Sequence, residues 1–165
     1  MLDYSTLGSL DHNPKIVNLL RNLPPEINLS PLKEAALLEL DFLTFIDQNR
    51  HLHYNGDFVS YSIQRYEKYW LPLVAQVSTT PEDDLKLAPP MDIYWVWHVH
   101  MLSPTKYIKD CQRITGRVIG HALAPAQDLK RRQEWTMAKW QGVYPSIPFS
   151  VGLEDIGNVQ LYFIL

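Results

Sequence analysis

The stretch PPMDIYWVWHVHMLSPTKYIKDC, residues 89–111, contains two tryptophans, two tyrosines, two histidines and the chain's single cysteine. Its apolar and aromatic side chains recur every three or four residues from Met91 to Leu102, which predicts an α-helix. The prolines before Met91 predict the start of this helix. Ser103 and Pro104 predict its end and the serine-capped start of a second helix, which runs to Gly116.

Helical patterns separated by prolines also cover most of the remaining chain. Ser30 and Pro31 predict the start of a helix of about 17 residues. A second pattern runs from Val59 to Leu73, and Pro72 is expected to kink or stop this helix near Trp70. A last helix is predicted from Pro125 to Trp140. The segments NRHLHYNG (residues 49–56) and STTPEDDLKLAPP (residues 78–90) are predicted to be loops, the second of them on the surface.

No alternation of strands and helices appears, so the fold class predicted is mainly α, a compact multi-helix domain. A chain of 165 residues with 46% hydrophobic side chains supports one domain, residues 1–165. The tail, residues 150–165, ends in the apolar segment GNVQLYFIL. An unpaired apolar strand promotes aggregation, so either the tail docks on the helical body as a short strand, or the chain is a shortened version of a longer protein.

Composition excludes several classes of function. A net charge of -3, spread along the chain, favours neither nucleic acid nor an anionic membrane as a partner. The single Cys111 can form no internal disulfide, and no signal peptide or membrane-spanning apolar run is present, so we expect a cytoplasmic protein. The partner expected is a protein or a small molecule, and the oligomeric state is open.

The two histidines of the central stretch should serve different purposes. Each residue turns a helix by about 100°, so His98 and His100 point about 200° apart and cannot both bind one metal ion from a regular helix. On a strand they would share a face, and a metal site would be plausible. For the helix, we expect His98 to point inward and to bond with a nearby carboxylate or tyrosine, from Asp92, Tyr107 or Asp110. We expect His100 to face the surface or a pocket.

Three kinds of site remain open. The aromatic density suits a partner-binding or ligand-binding surface. Its candidate residues are Trp97, His98, His100, Tyr107, Asp110 and Cys111.

A metal site could use His98, His100, Cys111 and His121, although no standard ligand spacing supports it. Cysteine-dependent catalysis would need Cys111 beside a histidine. His51 and His53 could add metal ligands, but we expect them to be solvated. We predict no cofactor, with zinc or another transition metal as the alternative.

Four blocks of the sequence resemble the glycine-rich domain-containing protein-like family, over about residues 35–149. They are SIQRYEKYWLPL (62–73), the central stretch, GRVIGHAL (116–123) and WTMAKWQGVYPSIPF (135–149). The positions that match the family's pattern are Arg65, Tyr66, Trp70, Pro72, Pro90, Asp92, Trp97, His98, His100, Pro104, Tyr107, Asp110, Cys111, Gly116 and His121. The resemblance implies no established reaction or cofactor. Longer plant members carry an RNA-binding motif and a glycine-rich tail. This sequence has 7 glycines and no such tail.

The prediction from these residues is therefore a helical domain that binds a partner or a small ligand around the stretch from Trp97 to Cys111. The alternative is a metal-dependent enzyme, a hydrolase, that uses His100, Cys111 and His121. The sequence leaves the choice between binding and catalysis open.

Overall fold

The structure is a computed structural model, which describes Asn18 and residues 30–121 and 123–153. Its elements are α1 (Ser30–Gln48), α2 (His51–Tyr54), α3 (Gly56–Arg65), a π-helical turn (Tyr66–Trp70), α4 (Leu71–Val77), α5 (Pro81–Asp84), α6 (Met91–Met101), α7 (Pro104–Thr115) and α8 (Ala126–Val143). No strand occurs in these ranges, so the mainly α prediction is confirmed. The predicted tail strand lies outside the described residues.

The central stretch forms the helix pair that its prolines predicted. α6 begins after Pro90, and α7 begins at Pro104 and ends before Gly116, which has a φ of 76° in the left-handed region. The prediction of a serine cap is wrong, because the Ser103 side chain caps nothing. The Ser103 carbonyl accepts the backbone N–H groups of Lys106 and Tyr107 instead.

Pro72 distorts its helix without stopping it. α3 passes into the π-helical turn, in which the Leu71 N–H bonds to the carbonyl of Tyr66, and α4 then carries Pro72 in its first turn. Proline lacks an N–H and crowds the preceding turn, and a wider turn relieves that crowding. The predicted irregularity near Trp70 is therefore present, but the chain remains helical to Val77.

The predicted surface loop at residues 78–90 is largely ordered and partly buried. It contains α5, and the Asp84 side chain is buried. This carboxylate accepts hydrogen bonds from Ser78 Oγ at 2.7 Å, Arg117 Nη1 at 2.6 Å and the Gly120 N–H at 2.9 Å. The sequence alone predicts that Asp84 is solvated, because its cationic partner Arg117 lies far along the chain.

Aromatic rings from several helices fill the core. Trp70, Trp97 and Trp140 are among the largest fully buried side chains. The rings of Trp70 and Trp97 lie 5.3 Å apart, which packs the π-helical turn against α6. This packing fixes the position of α6 between α3 and α7.

Candidate functional site

A groove of about 510 Å³ opens between α3, the π-helical turn, α6 and α7. Its walls are mostly apolar and include Val59, Ile63, Trp95, Val96, Val99 and Ile114. The polar residues that line it are Tyr66, Glu67, His100, Asp110 and Arg113. The groove thus combines an apolar body with a small polar cluster.

His100 is the centre of that polar cluster. Its Nδ1 lies 2.9 Å from the Tyr66 hydroxyl, and its Nε2 lies 3.4 Å from Asp110 Oδ2. Arg113 Nη2 donates a 3.0 Å hydrogen bond to the other Asp110 oxygen. This bond lowers the pKa of the Asp110 carboxyl, and His100 adds to the effect, so the carboxylate stays ionised.

The protonation state of Tyr66 determines which nitrogen of His100 carries the imidazole proton. Burial raises the pKa of the Tyr66 hydroxyl far above its ordinary value, so the hydroxyl keeps its proton at neutral pH. When the hydroxyl donates to Nδ1 of a neutral His100, the imidazole proton is on Nε2, which faces Asp110. Tyr66, His100 and Asp110 therefore form a chain of hydroxyl, imidazole and carboxylate along the groove.

Four of the six predicted ligand-binding residues, Trp97, His98, Tyr107 and Cys111, are buried and do not line the groove. Trp97 Nε1 donates to the Tyr107 hydroxyl at 2.7 Å, and that hydroxyl donates to the Ile119 carbonyl at 2.9 Å. Burial raises the pKa of Tyr107, and the neighbouring Cys111 raises it further. Cys111 itself is fully buried. Trp97, Tyr107 and Cys111 thus support the packing of α6 on α7, whereas His100 and Asp110 line the groove.

His98 lies on another face of α6, so the predicted divergence of the two histidines is confirmed. Its side chain is buried, and its Nε2 lies 3.3 Å from Glu39 Oε1. The carboxylate is supplied by α1 and not by the nearby Asp92 or Asp110. Trp95 stacks on the His98 ring at 5.7 Å.

His121 packs close to His98 and not to His100. Its ring stacks on Tyr94 at 4.7 Å and lies 6.1 Å from the His98 ring. Burial, with a further contribution from His98, lowers the pKa of His121 to about 4. The four predicted metal ligands therefore lie apart. His98 and His121 pack near each other, whereas His100 lines the groove and Cys111 is fully buried. Within residues 30–121 and 123–153, no three histidine, cysteine or acidic side chains are arranged to hold a metal ion.

The prediction that His51 and His53 are solvated in a loop is wrong. Both belong to α2 and are half-buried. His51 packs edge-on against Phe58 at 5.1 Å, and His53 packs against Tyr54 at 4.4 Å. The buried Leu52 between them holds this short helix against the core.

The sequence did not identify the α3 side of the groove. Val59, Ile63 and Tyr66 follow a helical period that indicated only a core-facing stripe. In the structure Ile63 is 41% exposed and forms a groove wall. The helical period shows which residues share a face, but it does not show how much of that face another helix covers.

The helices resolved in the described part of the chain include none that is long and apolar enough to cross a bilayer.

Comparisons with known proteins identify the family. The profile of the family described as "Glycine-rich domain-containing protein-like" matches residues 32–110. Glycine-rich domain-containing protein 2 of Arabidopsis thaliana is 36% identical over 121 residues, which cover 73% of this chain and 15% of the relative. Glycine-rich domain-containing protein 1 of the same plant is 34% identical over 126 residues, covering 76% of this chain and 15% of the relative.

The chain thus spans about 15% of the length of these relatives. No solved structure matches it. Helix α6, the first part of α7, most of the polar cluster around His100 and most of the groove lie inside the matched range. The chain belongs to the glycine-rich domain-containing protein-like family through this domain.

Proposed function

We propose that the groove binds an apolar segment of a partner protein. The observation that carries this proposal is the groove itself, about 510 Å³ in volume, with mostly apolar walls and a few convergent polar groups. Small-molecule pockets commonly have volumes of about 300–1,000 Å³ and the same composition, so the groove is large enough to take one or two apolar side chains of a partner. Desolvation of the apolar walls would supply most of the favourable free energy of binding.

The rim of the groove favours a protein as the occupant. Ile63 on α3 is 41% exposed and Val99 on α6 is 44% exposed, and both line the groove. Exposed apolar side chains that surround a concave site and are rimmed by polar groups are typical of protein-binding surfaces. The partner would place one or two apolar side chains between these walls.

The polar cluster would give this binding its orientation. Glu67 and Arg113 line the groove with opposite charges, on the π-helical turn and on α7 respectively. His100 is held by Tyr66 and lies beside Asp110, so its ring is oriented before a ligand arrives. Complementary charges of this kind contribute more to specificity than to affinity.

The alternative of a metal-dependent hydrolase has less support. Its three residues do not converge on the groove, because only His100 lines it. Cys111 is fully buried, and His121 packs against Tyr94 and Trp97. Tyr66 retains its proton and so is a poor nucleophile.

A peptide selection with a matched counter-selection would test the proposal. Peptides are selected on the wild-type protein and depleted on an Ile63→Glu variant, which alters a different wall of the groove from Val99, so that those retained require the groove. Fluorescence anisotropy then measures their dissociation constants. The control is Val118→Glu, because Val118 has the same 44% exposure and does not line the groove. We expect Val99→Glu to weaken binding at least about tenfold, or about 1.4 kcal/mol, and Val118→Glu to leave it unchanged.

Two results would contradict the proposal. Equal losses for both variants would place the binding surface elsewhere. A selection that yields no groove-dependent peptide, while small molecules from a fragment library shift the NMR signals of Val99 and Ile114, would assign the groove to a small ligand.

A further inference from the structure

Glu67 gives the groove a carboxylate that is available to a ligand. Its side chain lines the groove from the π-helical turn and is exposed. Within residues 30–121 and 123–153, no hydrogen bond or ion pair joins this carboxylate to another side chain. Asp110, by contrast, accepts a 3.0 Å hydrogen bond from Arg113 and lies 3.4 Å from His100. Glu67 is therefore the charged group of the groove that has no partner of its own.

The charges along the groove favour a cation as the ligand of Glu67. Two carboxylates, those of Glu67 and Asp110, line the groove against one guanidinium, that of Arg113. The Arg113 charge is already shared with Asp110, whereas the Glu67 charge is uncompensated. A neutral His100 leaves the groove with a net negative charge. A partner of complementary charge would bring a lysine or an arginine to this wall.

The helix that carries Glu67 places it beside an apolar part of the same wall. Ile63 lies in the last turn of α3, and Glu67 follows it by four residues, so the two share one side of the helix about 6 Å apart along its axis. Both line the groove. Glu67 belongs to the π-helical turn, and such turns within α-helices often occur at functional sites.

This spacing defines the chemistry of a matching partner segment. An apolar side chain against Ile63 and a cation against Glu67 would lie about 6 Å apart. A helical segment provides that separation between residues three or four positions apart, and an extended segment provides it between residues two positions apart. The alkyl stem of a lysine or an arginine also packs on apolar surface while its charge reaches a carboxylate.

We propose that the groove selects a partner segment in which a lysine or an arginine accompanies the apolar anchor, and that Glu67 determines this selectivity. The inference rests on the proposed function, because it names the charge of the segment that the groove binds. An ion pair at an exposed position adds little affinity, so Glu67 chiefly discriminates between basic and acidic segments.

Parallel peptide selections on three proteins test this inference. One random library is selected on the wild-type chain, on Glu67→Lys and on Glu134→Lys. Glu134 is the matched control, because it is also exposed but does not line the groove. We expect a lysine or an arginine near the apolar anchor in peptides from the wild type and from Glu134→Lys. Peptides from Glu67→Lys should carry an aspartate or a glutamate at the same place.

An exchange of charges then measures the contact itself. A peptide selected on the wild type, and the same peptide with its basic residue replaced by glutamate, are titrated against the wild type and Glu67→Lys by fluorescence anisotropy. Either change alone should weaken binding about fivefold, because it places like charges together. Both changes together should restore the affinity to within about twofold, since the pair is then reversed and not removed.

Two results would overturn the inference and leave the proposed function standing. One is that peptides from the wild type and from Glu67→Lys carry the same charges, although their affinity falls on Val99→Glu. The other is that Glu67→Lys and Glu134→Lys weaken binding equally. Displacement of the peptides by hexylamine at a similar concentration would assign Glu67 to a small amine, and would also overturn the inference. Peptides that are insensitive to both Val99→Glu and Glu67→Lys would contradict the proposed function as well.

Discussion

Arg65 and Asp92 form an ion pair that is almost completely removed from solvent, with 2.7 Å between Nε and Oδ2 and side-chain exposures of 0% and 2%. The same guanidinium donates to the carbonyls of Pro148 and Phe149. One arginine therefore joins α3, the start of α6 and the segment after α8. Removing one partner of a buried ion pair is costly, because the remaining charge stays buried without compensation.

Replacing Arg65 should strongly destabilise the domain. Arg65→Met leaves the Asp92 carboxylate buried without its counter-charge, which typically costs about 3–5 kcal/mol. The matched control is Arg131→Met, since Arg131 pairs with Asp128 at 3.0 Å but is 78% exposed, and such pairs contribute about 0–1 kcal/mol. Urea denaturation measures both. Similar losses for the two variants would show that the Arg65 pair adds little to stability.

The two histidines of α6 should respond differently to truncation. His98→Ala removes a ring packed between Phe42 and Trp95 and should cost about 1–3 kcal/mol of folding free energy. His100→Ala should cost less, because its ring borders the groove, but should weaken binding of a groove-selected peptide. Thermal denaturation and fluorescence anisotropy on both variants measure the contrast. The assignment is wrong if His98→Ala reduces peptide affinity more than His100→Ala does.

His121 should make stability depend on pH. Its pKa is lowered from 6.5 to about 4 by burial and by His98, so the unfolded chain takes up a proton below pH 6.5 that the folded chain does not. This contribution to stability is complete above about pH 6.5 and is lost as the pH falls towards 4. Between pH 7 and 5 the expected loss is about 2 kcal/mol.

Urea denaturation at several pH values, in metal-free buffer, measures this effect. His121→Phe keeps an aromatic ring against Tyr94 but cannot titrate, so its stability should change less over the same interval. Equal pH dependence in the two proteins would mean that His121 titrates normally in the folded state.

Two glycines offer a test of backbone conformation with little change in packing. Gly116 ends α7 with a φ of 76°, and a Cβ there would meet nothing within 4 Å. Gly116→Ala should therefore cost about 1 kcal/mol through backbone strain alone. Gly142 lies within α8 and also has open space, so Gly142→Ala should stabilise by about 0.5 kcal/mol. Thermal denaturation should show opposite signs, and a loss of stability in both variants would contradict this account.

The sequence by itself determined the features that depend on neighbouring residues. The bounds of α6 and α7 follow from Pro90, Pro104 and Gly116, because proline and glycine restrict the backbone wherever they occur. The divergence of His98 and His100 follows from the helical turn per residue. Pro72 located the distortion near Trp70, although it did not reveal that a π-helical turn would absorb it.

Only the tertiary structure decided which distant groups meet. Glu39 faces His98, Tyr66 holds His100, and Arg117 pairs with the buried Asp84. These contacts join residues far apart in the chain. Hydrophobic burial drives the helices together, but it is non-directional, so the periodic pattern of apolar residues does not show which helices become neighbours. The exposure of Ile63 was equally unpredictable, although the sequence did show that this residue shares a helix face with other apolar residues. Its exposure in a groove depends on how α3, α6 and α7 are spaced, and the packing of whole helices sets that spacing.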